Sequence, residues 1–151
     1  QNRTHPLIRP LLPGGALADR PLVTFYWSGC APGKPAYVPV DFMTAGQAVD
    51  LIHEAGGIAV LAHTGASISD AVVLDSVLGL PLDGVEAFSS YHTTQQAGEY
   101  AAKAAARHLL VSGGSDFHGK IKPDIRIGAV DWREYENEAK AALLDAVKHR
   151  Y

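Results

Sequence analysis

Leu109-Leu110-Val111-Ser112-Gly113-Gly114-Ser115-Asp116-Phe117-His118-Gly119 decides how this chain is read. Leu109 to Val111 is a short apolar run of the kind that forms a buried strand. A carboxylate and an imidazole then stand two residues apart among glycines. On extended or bulged backbone, positions i and i+2 point the same way, so Asp116 and His118 can aim at one point. The glycines allow the chain to bend tightly there. A carboxylate and a neutral imidazole that converge suit a divalent metal. The same residues also fit a glycine turn with a capping Asp and a solvated His. The stretch alone leaves both readings open.

The residues before it carry the pattern that turns this run into a strand of a larger sheet. Thr44 with Gln47 fits a capping box, and Ala48, Leu51, Ile52 and Ala55 recur at helical spacing before Gly56-Gly57. Ile58 to Ala62 is uniformly apolar, as a strand buried on both faces should be, and His63 comes next. Ser69 or Asp70 can cap a second helix through Val72, Val73 and Val77, which Gly79 and Pro81 stop. Gly84 to Phe88 is a second strand, followed by Ser89-Ser90-Tyr91-His92. Thr93 or Thr94 caps a third helix carrying Ala97, Tyr100, Ala101 and Ala104. Leu109 to Val111 is then the third strand, Arg126 to Val130 a candidate fourth, and roughly Tyr135 to His149 a last helix. Alternating helix and strand implies an α/β fold with a mostly parallel sheet.

Residues 1–40 differ, because they hold most of the chain's nine prolines. Long helices are not expected there. Leu7 to Leu12 and Leu22 to Trp27 are expected as short helices or turns of a small lobe, followed by a turn at Pro32 to Pro35 and extended chain at Tyr37 to Val40.

Composition narrows the function classes. The 151 residues are one domain's worth of chain, and a net charge of −3 gives no electrostatic footprint for nucleic acid. That excludes a tight duplex DNA binder but not a small phosphorylated substrate. The single cysteine, Cys30, cannot form an internal disulfide. No apolar run approaches the roughly 18 residues of a membrane span. The chain begins with Gln1, and no signal-peptide pattern follows. A cytoplasmic protein is the expectation.

His63, His92, Asp116 and His118 all follow predicted strands. In α/β folds, sites are built at the C-terminal ends of parallel strands, where the loops converge. His63, Asp116 and His118 are therefore the expected metal ligands, against the plainer readings of a core-edge imidazole, a turn cap and a solvated ring. His92 is expected to touch substrate rather than metal, against a role in helix entry. Glu86, inside a strand, either supports the ligands or is an ordinary strand residue that needs a partner. His53 is expected to be solvated, and His108 and His149 to sit near helix C-termini.

Ala55 to His63, Asp83 to Ala87 and Gly114 to Gly119 together resemble the PHP (polymerase and histidinol phosphatase) family. The nearest branch is its metal-dependent phosphoesterases that act on nucleotides and short oligonucleotides. Arg3-Thr4-His5, Gly33 to Val38 and the Thr44 helix resemble that branch's insertion lobe and the return into its barrel. The resemblance implies a distorted (β/α)7 barrel, of which this chain would be the C-terminal part. A small helical lobe would occupy 1–43 and the C-terminal half of the barrel 44–151. It also implies two or three divalent ions (manganese, zinc or iron) and attack on phosphorus by a metal-bound hydroxide. On this likeness His63 matches a metal histidine of the family's third motif, and Asp116 and His118 match the pair of its fourth. Arg3 and His5 would face the substrate phosphate, with His92 nearby.

The chain departs from the family at two points. It contains no His-x-His, the family's opening motif, and Thr64 stands where proline usually follows the third-motif histidine. The expectation is then a fragment of a longer phosphoesterase, with its site incomplete and either its N-terminal half or a second copy as partner. The competing expectations are a non-catalytic metal- or nucleotide-binding remnant, an interaction module, or a plain structural domain that takes no metal.

Overall fold

The computed structural model describes residues 25–119 and 122–150. The chain divides into two compact units, Gln1–Phe42 with His118–Asp124, and Met43–Phe117 with Ile125–Tyr151. Arg3, His5 and the expected helices at Leu7 to Leu12 and from Leu22 lie wholly or mostly outside the described residues.

In the first unit, Tyr26–Cys30 forms one wide helical turn, closed by the Ala31 N–H donating to the Tyr26 carbonyl at 2.9 Å. Tyr37 to Val40 forms neither helix nor strand and is exposed.

The second unit alternates helix and strand. Helix α1 (Ala45–Glu54) starts at Thr44, whose hydroxyl accepts from the Gln47 N–H while the Gln47 side chain accepts from the Thr44 N–H. This is the expected capping box, and it satisfies two donors that have no partner within the helix. Strand β1 is short, Val60–Leu61. A four-residue helix, α2 (Thr64–Ser67), follows at once. Helix α3 (Ala71–Leu78) is capped by Asp70, which accepts from Val72 and Val73. Strand β2 (Gly84–Ser89) leads to α4 (Thr94–Ala105), capped by a second box between Thr93 and Gln96. Strand β3 (Leu110–Gly114) precedes α5 (Arg133–Arg150).

The three strands form one parallel sheet in the order β1-β2-β3. Val60 and Leu61 pair with Gly84 and Val85, and Gly84 pairs onward with Leu110. The register slips between Glu86 and Phe88, so Ala87 bulges from the β2–β3 ladder. At the N-terminal edge, Asp83 Oδ2 accepts from the Ala59 N–H at 2.7 Å and lies 2.7 Å from His53 Nε2. His53 is thus paired with a carboxylate rather than merely solvated. Its partner is thirty positions away, and that distance hid the pairing from a reading of its own helix.

Leu74 and Leu78 from α3, Val85 from β2 and Ala104 from α4 make the buried core, with Leu61, Leu109 and Val111 packed against it. Helix α5 packs on β3, with Ala139 buried and Tyr135 stacked at a tilt on Phe88. Arg126 to Val130 is not a strand. Gly128 takes φ +72 and the Ala129 N–H turns back to the Arg126 carbonyl, so the run is a turn despite its apolar residues.

Leu78→Ala should destabilise the protein by about 2–5 kcal/mol in urea unfolding, because it opens a cavity in this cluster. Val72→Ala, on an exposed side chain of the same helix, should change stability by less than about 0.5 kcal/mol. A smaller effect joins α3 to α4. Lys103 and Arg107 lie beside Asp75, and mainly the Lys103 hydrogen bond holds its carboxyl below the ordinary 3.8. A carboxyl lowered on folding adds stability above its unfolded pKa and loses it as pH falls through the folded value. The stability difference between wild type and Asp75→Asn should therefore be largest near neutrality and vanish under strong acid.

Candidate metal centre

Parallel strands bring their C-terminal ends to one edge of the sheet. There β1 runs into His63, β2 into Ser90 to His92, and β3 into Ser115 and Asp116.

His63 is the residue before α2, and its backbone is left-handed, φ 33 and ψ 53. A residue other than glycine held there stores about 1–3 kcal/mol of strain and persists only when its surroundings fix it. Here they do. The His63 N–H donates to Glu86 Oε2 at 2.5 Å, and the His63 carbonyl accepts from Ala66 at 2.9 Å and Ser67 at 3.1 Å. The ring's Nδ1 lies 2.6 Å from Ser67 Oγ. With Nδ1 engaged by a hydroxyl, Nε2 is the nitrogen placed to take a ligand.

Asp116 is the second strained residue, with φ 53. Its Oδ2 accepts from the Tyr91 hydroxyl at 2.5 Å. The Tyr91 ring stands edge-on to the His63 ring, centroids 6.2 Å apart. Tyr91 therefore links the residues that follow β1 and β3. Because Asp116 is left-handed rather than extended, side-chain alternation does not govern this segment. His118, exposed, belongs to the first unit.

Both nitrogens of His92 are taken up by backbone. Nε2 accepts from the Gly65 N–H at 2.9 Å, so Nδ1 carries the proton and donates it to the Ala87 carbonyl at 2.7 Å. The ring also meets Tyr100 edge to face at 4.8 Å. His92 was expected to contact substrate. In this structure it ties the first turn of α2 to the bulge of β2. Gly65 has to lack a side chain, since a Cβ there would fall 2.5 Å from the Tyr100 hydroxyl.

The sequence reading passed over Tyr91 and Ser67 and left Glu86 between two roles. Only the place of Tyr91, in the loop just after a predicted strand, could have singled it out.

An imidazole nitrogen and carboxylate oxygens are donors that manganese, zinc and iron accept. Among the described residues no group of three or more His, Cys, Asp or Glu side chains is placed to hold a metal, so these donors do not close a cage by themselves. A cavity of about 510 Å³ lies elsewhere, between α4, the start of β3 and α5, lined by Ala101, His108, Leu110 and Tyr135. No helix among the described residues is long and apolar enough to cross a membrane.

Known proteins resemble this chain in sequence and in fold. The chain is 31% identical over 149 residues to the 3',5'-nucleoside bisphosphate phosphatase of Chromobacterium violaceum, which covers 89% of this chain and 51% of that protein. It is 37% identical over 106 residues to the 5'-3' exoribonuclease Rnm of Escherichia coli, 68% of this chain and 36% of that one. The crystal structure of a candidate metal-dependent phosphoesterase from Bifidobacterium adolescentis superposes with a TM-score of 0.62 at 24% identity, over 84% of this chain and 49% of that one. These likenesses agree with the resemblance to the C-terminal part of a PHP-type phosphoesterase. No protein-family model matches it. The chain spans about half the length of the phosphatase and about a third of the exoribonuclease. The fold is α/β with a small parallel sheet, similar to the fold of that Bifidobacterium protein.

His92→Ala should cost about 1–3 kcal/mol in thermal or urea unfolding, because it strands the Gly65 N–H and the Ala87 carbonyl. A ring used only to touch substrate would leave unfolding unchanged and raise KM instead.

Proposed function

We propose that the protein carrying this chain is a metal-dependent phosphoesterase that hydrolyses a phosphomonoester or phosphodiester of a nucleotide or short oligonucleotide. The observation that carries the reading is the pairing of strained His63 and Asp116 at the ends of two parallel strands, joined through Tyr91. Support comes from the names of the relatives, a nucleoside bisphosphate phosphatase and an exoribonuclease.

In this reading His63 contributes Nε2, Asp116 its carboxylate, and His118 a further imidazole to a divalent site of manganese, zinc or iron. Other ligands come from the N-terminal half of the same barrel, or from a second copy. When bound, the metal supplies Lewis acidity toward a phosphoryl oxygen. The chain's own residues prepare the site. Ser67 fixes the His63 ring, and the Tyr91 hydroxyl fixes one oxygen of Asp116 so that the carboxylate does not rotate. Arg3 and His5 hold the substrate phosphate, where a guanidinium can bond two oxygens at once, and His92 supports the loop beside it. The barrel is of the (β/α)7 type with residues 1–43 as its lobe, and the setting is cytoplasmic.

A second reading, a non-catalytic binding remnant, is favoured by the absence of a three-donor group among the described residues. Asp116→Ala separates the two. With added manganese and bis-p-nitrophenyl phosphate, the proposed enzyme should lose at least about a hundredfold in rate on this change, and its bound metal should fall. An unchanged rate and metal content would overturn the proposal.

A further inference from the structure

We infer that Glu86 is a positioning residue for His63, setting the geometry of the metal centre without holding the metal itself. The inference rests on the proposed role of His63 as a ligand, and its own evidence is geometric. Glu86 lies on β2, the middle strand, which pairs with β1 on one side and β3 on the other. Its Oε2 accepts the His63 N–H at 2.5 Å, across 23 positions of sequence. Its backbone carbonyl accepts the hydroxyl of Thr64, which is wholly buried, at 3.2 Å. One residue therefore grips two consecutive residues where β1 turns into α2.

The side-chain grip is the decisive one. The His63 backbone lies in a region that residues with a Cβ avoid. The other contacts of His63, to Ala66 and Ser67, come from the four-residue helix that it opens, and the carboxylate is the hydrogen bond that reaches it from another strand. Without the carboxylate, the His63 N–H would lose its partner and the backbone could relax to an ordinary conformation. The ring would then swing away from its place beside Tyr91 and Ser67.

Gly114 makes room for this carboxylate. A Cβ on Gly114 would fall 2.9 Å from Glu86 Oε1, inside contact distance. Glu86 thus fills the space between the end of β1 and the end of β3, two residues before Asp116. A glutamine could keep the hydrogen bond through its amide oxygen, whereas an alanine could not.

The test compares Glu86→Ala, Glu86→Gln and Glu86→Leu with wild type, by backbone amide exchange in metal-free protein and by calorimetric titration with manganese. In Glu86→Ala the His63 amide should exchange about tenfold faster while the amides of Val85 and Ala104 keep their protection. Manganese affinity should fall by about tenfold or more. Glu86→Gln should restore both to within about threefold, a rescue that a loss of general stability would not show. Glu86→Leu keeps most of the bulk but cannot accept the N–H; it should reproduce the His63 effect, and it decides the matter if Glu86→Ala does not fold. Unchanged exchange at His63 in the folded variants would overturn the inference. A wild-type protein that takes no manganese would sink the metal reading alone, and His63 exchange would still decide whether Glu86 holds that backbone.

Discussion

Three parallel strands cannot be joined by tight turns, so after β1 and again after β2 a crossover carries the chain back to the opposite edge. This constraint organises the second unit. It sends the residues after all three strands to a common edge, and the strand order puts β2 in the middle with β1 and β3 as neighbours. What can be built there depends on β2 above all. Val85 enters the core on one side, while Glu86, the Ala87 carbonyl and the loop carrying Tyr91 and His92 reach the segments beyond β1 and β3. The edge is less a row of separate loops than a set of contacts hung on one strand.

Strain at this edge follows from that arrangement. His63 and Asp116 both have left-handed backbone, and each is met by a side chain from β2 or the loop behind it. A third left-handed residue, His108, has a plainer cause. It ends α4, where the Leu109 N–H folds back to the Ala104 carbonyl at 3.0 Å, a common way of closing a helix. Strain alone does not mark a site. The two residues that share Tyr91 differ from His108 because distant side chains keep them in place.

Local chemistry was legible in the sequence, and long-range partnership was not. The caps depend on residues three or fewer apart: the box at Thr44 stands where the pattern put it, and of the alternatives Ser69 or Asp70 and Thr93 or Thr94 the structure takes Asp70 and Thr93. The short apolar runs were read correctly as parallel strands, though β1 pairs over only two residues and β3 extends through Gly114. Helix α2 was missed because four residues carry no periodicity. The run at Arg126 was overread because its apolar residues say nothing of the turn that Gly128 makes. His92 and Glu86 were ambiguous for one reason: their partners lie 27 and 23 positions away.

The glycines of Ser112-Gly113-Gly114-Ser115 show how the same letters can serve a different physical end. They read as residues that let the chain bend. In the structure Gly113 and Gly114 lie within β3, and neither has a positive φ. What they provide is space. A Cβ on Gly113 would fall 2.6 Å from the Trp132 ring, and one on Gly114 would meet Glu86. The left-handed conformation falls instead on Asp116, a residue with a carboxylate to place and a tyrosine to hold it. A strand that gives up two side chains lets an indole and a carboxylate approach its backbone from other elements. The glycines therefore matter through the neighbours they admit, the Trp132 ring beside Gly113 and the Glu86 carboxylate beside Gly114.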